Sequence, residues 1–156
     1  MRNSVIGIDP GFDRCGVAVL TQDKLLFSTC ITTSKKDLHQ TRLLNLGKEL
    51  RMIIKKWRPE ALAIEKLFFN LNARTALKVA EARGVILYEA ARASLPVFEY
   101  SPQDVKIAVT GYGKASKRQV EEMTLRLLKL KSAPRHDDEA DAIAVGITHL
   151  ATRRGI

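Results

Sequence analysis

Val5-Ile6-Gly7-Ile8-Asp9-Pro10-Gly11 decides how this chain folds. Three branched apolar side chains within four residues read as a buried strand, and Asp-Pro-Gly reads as the turn that stops it. Proline cannot continue a central strand, because it lacks the N–H, and glycine admits a positive φ. Asp9 therefore sits where a buried strand leaves its sheet. Taken alone, such an aspartate is better read as a turn residue bonded to its own backbone. It becomes chemistry only if other carboxylates converge on it.

Working outward, residues 15–20 form a second strand and residues 25–32 a third, with Gln22-Asp23 as the hairpin turn between them. Three closely spaced strands predict an antiparallel meander. From Asp37 the period changes: Leu43, Leu46, Leu50, Ile53, Ile54 and Trp57 recur at three- and four-residue steps, a long amphipathic helix that Arg58-Pro59 ends. Residues 61–65 repeat the logic of the first strand, an apolar run closing on one carboxylate, Glu65. A right-handed crossover sets this strand parallel to the first. Both acids then emerge at the C-terminal edge of the sheet, where open α/β folds place their sites.

A loop with two adjacent aromatics, Phe68 and Phe69, follows. Residues 73–93 predict a second long helix with a small-residue stripe: Ala73, Ala76, Leu77, Ala80, Gly84, Leu87 and Ala91. That stripe suits a central position or a subunit contact. Residues 96–100 form a fifth strand, 103–109 a short helix, and Gly111-Tyr112-Gly113-Lys114 a basic loop. Ser116 and Gln119 make a capping box for the next helix. The final helix opens with Asp137-Asp138-Glu139-Ala140-Asp141 and then runs apolar through Leu150.

In that helix Asp138 and Asp141 are three apart, on one face of the first turn. Asp137 and Glu139 are adequately read as partners of the helix dipole. Asp141 lies among Ala140, Ala142, Ile143 and Ala144, so its face borders the core, where an unpaired carboxylate is costly. Asp9, Glu65, Asp138 and Asp141 together would form an acidic pocket, which needs protons or a cation. All-oxygen ligation selects Mg²⁺ or Mn²⁺ over Zn²⁺.

Composition sets the partner. The chain has 156 residues, 46% apolar and 28% charged, which suits one soluble domain spanning 1–156. No apolar run approaches a membrane span, and the start lacks a signal peptide's apolar region, so no membrane role and a cytoplasmic location are expected. Cys15 and Cys30 lack metal spacing and read as buried thiols. Lys and Arg number 26 against 17 Asp and Glu, a net charge of +9. That surplus suits a polyanion, most simply nucleic acid. It is scattered through the chain, so a folded basic surface is expected rather than a disordered arm.

These residues resemble the RuvC family of Holliday-junction resolvases, within the RNase H-like superfamily. The resemblance runs nearly end to end: Gly7-Ile8-Asp9-Pro10-Gly11, Ile64-Glu65-x-x-Phe68, Ala82-Arg83-Gly84-Val85, Val97-Phe98-Glu99-Tyr100, Val105-Lys106, Asp138-Glu139-Ala140-Asp141-Ala142-Ile143-Ala144 and Ile147-Thr148-His149. It implies an RNase H-like α/β fold whose central five-stranded mixed sheet, three antiparallel strands then two parallel, is flanked by helices. It implies a homodimer that cuts the two opposed strands of a four-way junction with Mg²⁺, leaving 5′-phosphate and 3′-hydroxyl ends, beside a branch-migration helicase.

The resemblance puts the metal ligands on Asp9, Glu65, Asp138 and Asp141, the Asp-x-x-Asp frame favouring Asp138 over Asp137. It adds Lys106 and Lys117 to the catalytic set, although each alone is an ordinary surface lysine. Its base-stacking aromatic falls on Phe68, with Phe69 the alternative ring. Arg74, Lys78, Lys114 and Arg118 complete the candidate DNA-binding set. His136 reads as a loop histidine and His149 as structural.

Three other readings compete. An actin- or hexokinase-type ATPase would need a second phosphate loop and a duplicated fold, and the chain has neither. An RNase H-like nuclease acting on other branched or hybrid nucleic acid, and a non-catalytic junction-binding module, differ from a resolvase in what they cut.

Overall fold

A strand as apolar as the first needs a partner on each side, and β1 (Val5–Asp9) has both in the computed structural model, which describes residues 3–67 and 73–153. It pairs antiparallel with β2 (Arg14–Leu20) and parallel with β4 (Ala61–Glu65). β3 (Leu25–Thr32) pairs antiparallel with β2, and β5 (Val97–Tyr100) pairs parallel with β4. The sheet order is β3-β2-β1-β4-β5, the mixed five-stranded RNase H-like arrangement expected. The turn at Gln22-Asp23 is closed by Thr21 N–H donating to the Lys24 carbonyl.

Side chains alternate across a strand, so each strand serves two cores. Ile6 and Ile8 of β1 and Leu62 and Ile64 of β4 pack with Leu46, Leu50, Ile53 and Ile54 of α1 (His39–Trp57) and with Ala82 and Ile86 of α2 (Ala73–Arg92). Val5, Ala61 and Ala63 face the other way, onto Ala142, Ile143 and Val145 of α5 (Asp137–Thr152). Val105 and Val109 of α3 (Pro102–Thr110) join this second core, while α4 (Lys117–Leu127) packs beside α3 and α5. Because Asp9 and Glu65 are in phase with Val5 and Ala61, this alternation aims both at the α5 side of the sheet.

α5 can lie flat on the sheet because glycine stands beneath it. A β-carbon on Gly16 would lie 1.8 Å from the Asp138 carbonyl oxygen, and one on Gly7 would lie 2.2 Å from that of Ala142. Any side chain at either position would push the helix off the strands. The first turns of α5 are thereby seated over β1 and β2.

Four expectations change. The small-residue stripe of α2 is not central: Ala73, Leu77, Ala80, Gly84 and Ala91 are exposed, and a β-carbon on Gly84 would meet nothing within 4 Å. Of the stripe only Ala76 is buried, and the buried face is made of Ala76, Ala82, Arg83, Ile86, Glu89 and Ala90. Glu139 is not a solvent-facing dipole partner but is buried and accepts a 2.8 Å hydrogen bond from Ser28 Oγ of β3. Cys15 is buried as expected, whereas Cys30 is only half-buried. α3 begins at Pro102, because Ser101 and Asp104 form a capping box that the short helical pattern did not reveal. The box at Ser116 and Gln119 is present.

Candidate active site

Asp9 ends β1 opposite Gly16, and Glu65 ends β4 one residue beyond the Ile8–Ile64 pair. The two carboxylates are thus neighbours on adjacent parallel strands. Asp138 and Asp141, from the first turn of α5, come down on them from above. The other three acids expected at the site all act on Asp9. Burial raises Asp9 most, Asp141, Glu65 and Asp138 add their negative charges, and the carboxyl is pushed up to about 8. Lys117 only partly offsets this.

Glu65 is raised by burial and then by Asp141, while a hydrogen bond from Asp9 favours its ionised form. Asp9 and Glu65 therefore share a proton at neutral pH, with Asp9 as donor. Asp9 is not the turn residue that it resembles in isolation. Asp141 is pulled both ways: burial raises it, and its ion pair with Lys117 at 3.5 Å lowers it. Burial wins, since the ammonium is largely exposed and its field is weakened by water.

Basic side chains rim the acids. Lys117, at the start of α4, reaches Asp141 and stands 3.9 Å from Asp137. Its own titration is raised, first by Asp141. Arg14, the first residue of β2, pairs with Asp138 at 3.0 Å, and Cys30 Sγ lies 3.9 Å from the same carboxylate oxygen. Nothing in the local pattern singled out Arg14, an exposed arginine after a turn. As arranged, no group of three or more His, Cys, Asp or Glu side chains among the described residues stands close enough to hold a metal ion. Asp138 is paired with Arg14 and Asp141 with Lys117 instead.

Lys106 is not brought into this set. It is half-buried on α3, and among the described residues it forms no ion pair with the four acids. Lys114 is exposed in the loop before α4. Arg118 pairs with Glu122 one helical turn on, at 3.0 Å. The Lys78 ammonium lies 5.3 Å from the Phe12 ring, and Arg74 is exposed in the first turn of α2. Phe68 and Phe69 lie outside the described residues. His149 is structural, as expected: its Nδ1 meets Tyr100 Oη at 2.9 Å, and its ring packs on Phe98.

Two buried arginines hold the turns beneath the acids, and the sequence assigned no role to either. Arg42 of α1 lies over Phe12 at 3.9 Å and donates to Thr33 Oγ1 at 3.0 Å, which fixes the turn after Asp9. Arg83 of α2 donates to the Glu65 backbone carbonyl at 2.7 Å. The signal available was an arginine on each helix's apolar face.

The chain as a whole is similar to known proteins. The family model "Crossover junction endodeoxyribonuclease RuvC" matches residues 5–149. The protein of that name from Petrotoga mobilis is 44% identical over 96% of this chain and 94% of its own. The one from Roseiflexus is 48% identical over 92% and 88%. Among solved structures, Thermus thermophilus RuvC in complex with Holliday junction substrate superposes with a TM-score of 0.95 at 34% identity, covering 99% of this chain and 96% of that one.

Proposed function

The chain belongs to the RuvC family of crossover junction endodeoxyribonucleases, and from that premise we propose that it resolves four-way DNA junctions by Mg²⁺-dependent hydrolysis. One observation supports the reading: at the end of β1, burial first and then the charges of Asp141, Glu65 and Asp138 push the Asp9 carboxyl up to about 8. A fold retains buried, mutually repelling acids where function requires them.

Asp9, Glu65, Asp138 and Asp141 would hold Mg²⁺, with Mn²⁺ as a substitute. Their donor set is all oxygen, and positive charge already stands on Asp138 and Asp141 in the form of Arg14 and Lys117. When bound, the ion supplies activation of water and neutralisation of charge on the scissile phosphate. The chain's own residues do the rest. Asp9 would have to give up its proton for the ion to bind, and Lys117, freed from Asp141, would then meet the phosphate backbone, with Lys106 serving the same backbone from α3. Water attacks phosphorus, the bond to the 3′ oxygen breaks, and a 5′-phosphate and a 3′-hydroxyl remain.

Affinity comes from the basic surface, with Arg74, Lys78, Lys114 and Arg118 on phosphates and Phe68, or Phe69 in its place, stacked on a base. Paired cutting requires two sites. The outward stripe of α2, with Leu77 and Tyr88 well exposed beside it, is the surface on which a second copy would pack. The 1–156 chain then acts as one nuclease domain of a homodimer, in the cytoplasm beside a branch-migration helicase. No described helix is long and apolar enough to cross a membrane. Incubating the protein and Mg²⁺ with a four-way junction, a linear duplex and an RNA–DNA hybrid tests the reading. Paired nicks in the junction alone are expected, and equal cleavage of all three would refute it.

A further inference from the structure

We propose that Arg83 is a positioning residue for Glu65, supplying the hydrogen bond that Pro10 cannot and so fixing where the β4 carboxylate stands. The inference rests on the nuclease reading above. It begins with the strand register. β1 and β4 are parallel and pair Gly7 with Ala63 and Ile8 with Ile64. On the other side of β4, Leu62 N–H donates to Pro96 and Lys66 N–H to Tyr100. The even residues of β4 thus bond towards β5, and Ala63 and Glu65 bond towards β1. Continued by one residue, the ladder would bring the Glu65 carbonyl an N–H from residue 10. That residue is proline and has none.

The same proline that stops β1 at Asp9 therefore leaves the neighbouring backbone acceptor without its partner. A buried carbonyl without a donor is costly. Arg83 fills the gap: one terminal nitrogen donates to the Glu65 carbonyl at 2.7 Å, and the other pairs with Glu99 of β5 at 2.8 Å. Its side chain is only 10% exposed, on the buried face of α2. A charge held there needs both partners. The guanidinium thus ties α2, β4 and β5 together at the residue that carries the carboxylate. It acts on the backbone of Glu65 rather than on its charge, since the groups that move the Glu65 titration are burial, Asp141, Asp9 and Lys117.

The test reads metal binding in the full-length protein without DNA, by the signal of free Mn²⁺ in electron paramagnetic resonance. Arg83→Met, which keeps the buried stem and removes the donors, should weaken Mn²⁺ binding by roughly 10–100-fold, the usual effect of losing a group that orients a ligand. Adding Pro10→Ala returns an N–H at residue 10 and should recover at least half of that loss on a logarithmic scale. A purely structural arginine would not be rescued from Pro10. Ile86→Ala, a core truncation on the same helix face, should lower Tm at least as much while leaving Mn²⁺ affinity within about twofold. Arg83→Lys, whose single nitrogen cannot span the two acceptors as the guanidinium fork does, should lose roughly threefold and serves if the Met variant does not fold.

Four results would overturn the inference: no Mn²⁺ binding by the wild type, Mn²⁺ loss in Arg83→Met no greater than in Ile86→Ala, no rescue by Pro10→Ala, or wild-type affinity in Arg83→Lys. A wild type that binds Mn²⁺ but leaves four-way junctions uncut would refute the nuclease reading and leave the Arg83 result standing.

Discussion

The acidic edge of the sheet and the outer stripe of α2 are opposite faults in an isolated chain. At the edge, half-buried carboxylates stand beside one another, against the rule that charges withdrawn from water are paired. Along α2, apolar and small side chains are open to solvent, against the tendency of such stripes to be covered. Each is tolerated because the two cores on either side of the sheet offset it. On the function proposed above, a cation would relieve the first and a second copy the second. The difference is in reach. Charge crowding couples Asp9 to acids on two other elements, whereas the stripe is confined to one helix.

The sharpest way to break the comparison is to empty one region and look for an effect in the other. Asp9→Asn, Glu65→Gln and Asp141→Asn should each lower junction cleavage by on the order of 10²–10³-fold or more. Junction binding should stay near wild type and fall steeply with salt, because Lys and Arg supply it. Dimer mass should not change. A neutral variant that nicks near the wild-type rate would remove that residue from the site.

The second expectation empties the stripe. Gly84→Glu puts a charge where a β-carbon meets nothing within 4 Å, so the monomer should fold and hold metal as before. Across a twofold contact the two glutamates would face each other, and the dimer Kd should rise by on the order of 30-fold, as for an interface anchor. Sedimentation equilibrium measures this directly. Unchanged association would mean that α2 is not the contact, and the comparison would lose one of its halves.

What the sequence disclosed divides along the same lines. Apolar runs closing on Asp9 and Glu65, joined by a right-handed crossover, put those two acids at one edge of the sheet, and a three-residue step put Asp138 and Asp141 together, while the family resemblance joined all four. The stripe was seen, but its sense was not. Small residues at three- and four-residue steps look alike whether they face a core or water, and the true buried face carries Arg83 and Glu89. The polar contacts that frame the site were invisible for a different reason. Arg14 on Asp138, Ser28 on Glu139 and Arg83 on the Glu65 carbonyl join residues far apart in sequence, and no local pattern records them. Lys106 shows the converse, a lysine raised to the catalytic set by resemblance alone, which the fold leaves without an ion pair to the acids.

The smallest expected effect bears on stability and separates the two regions by its dependence on pH. Asp9 titrates near 8 when folded and near 3.8 when unfolded. Between those values the folded state binds the proton and the unfolded state does not, so raising the pH favours unfolding. The contribution of Asp9 to the stability of the metal-free protein should be greatest at the acid end and should fall as pH climbs from about 4 to about 8, with a slope of at most about 1.4 kcal/mol per pH unit. Asp9→Asn removes the slope. In EDTA at pH 8 it should melt above wild type by an amount worth on the order of 1 kcal/mol, or roughly 2–4 °C for a chain of this size. Asp141→Asn should gain less, because it also gives up the Lys117 ion pair. Millimolar Mg²⁺ should raise the wild-type Tm, since it binds the folded cluster and not the unfolded chain, and should raise both variants less. Gly84→Glu, by contrast, should show the wild-type pH slope and the wild-type response to Mg²⁺. If Asp9→Asn instead melts lower in EDTA, as loss of a turn residue would require, and Mg²⁺ shifts every variant equally, then the acids do not crowd one another and the tension at the sheet edge does not exist.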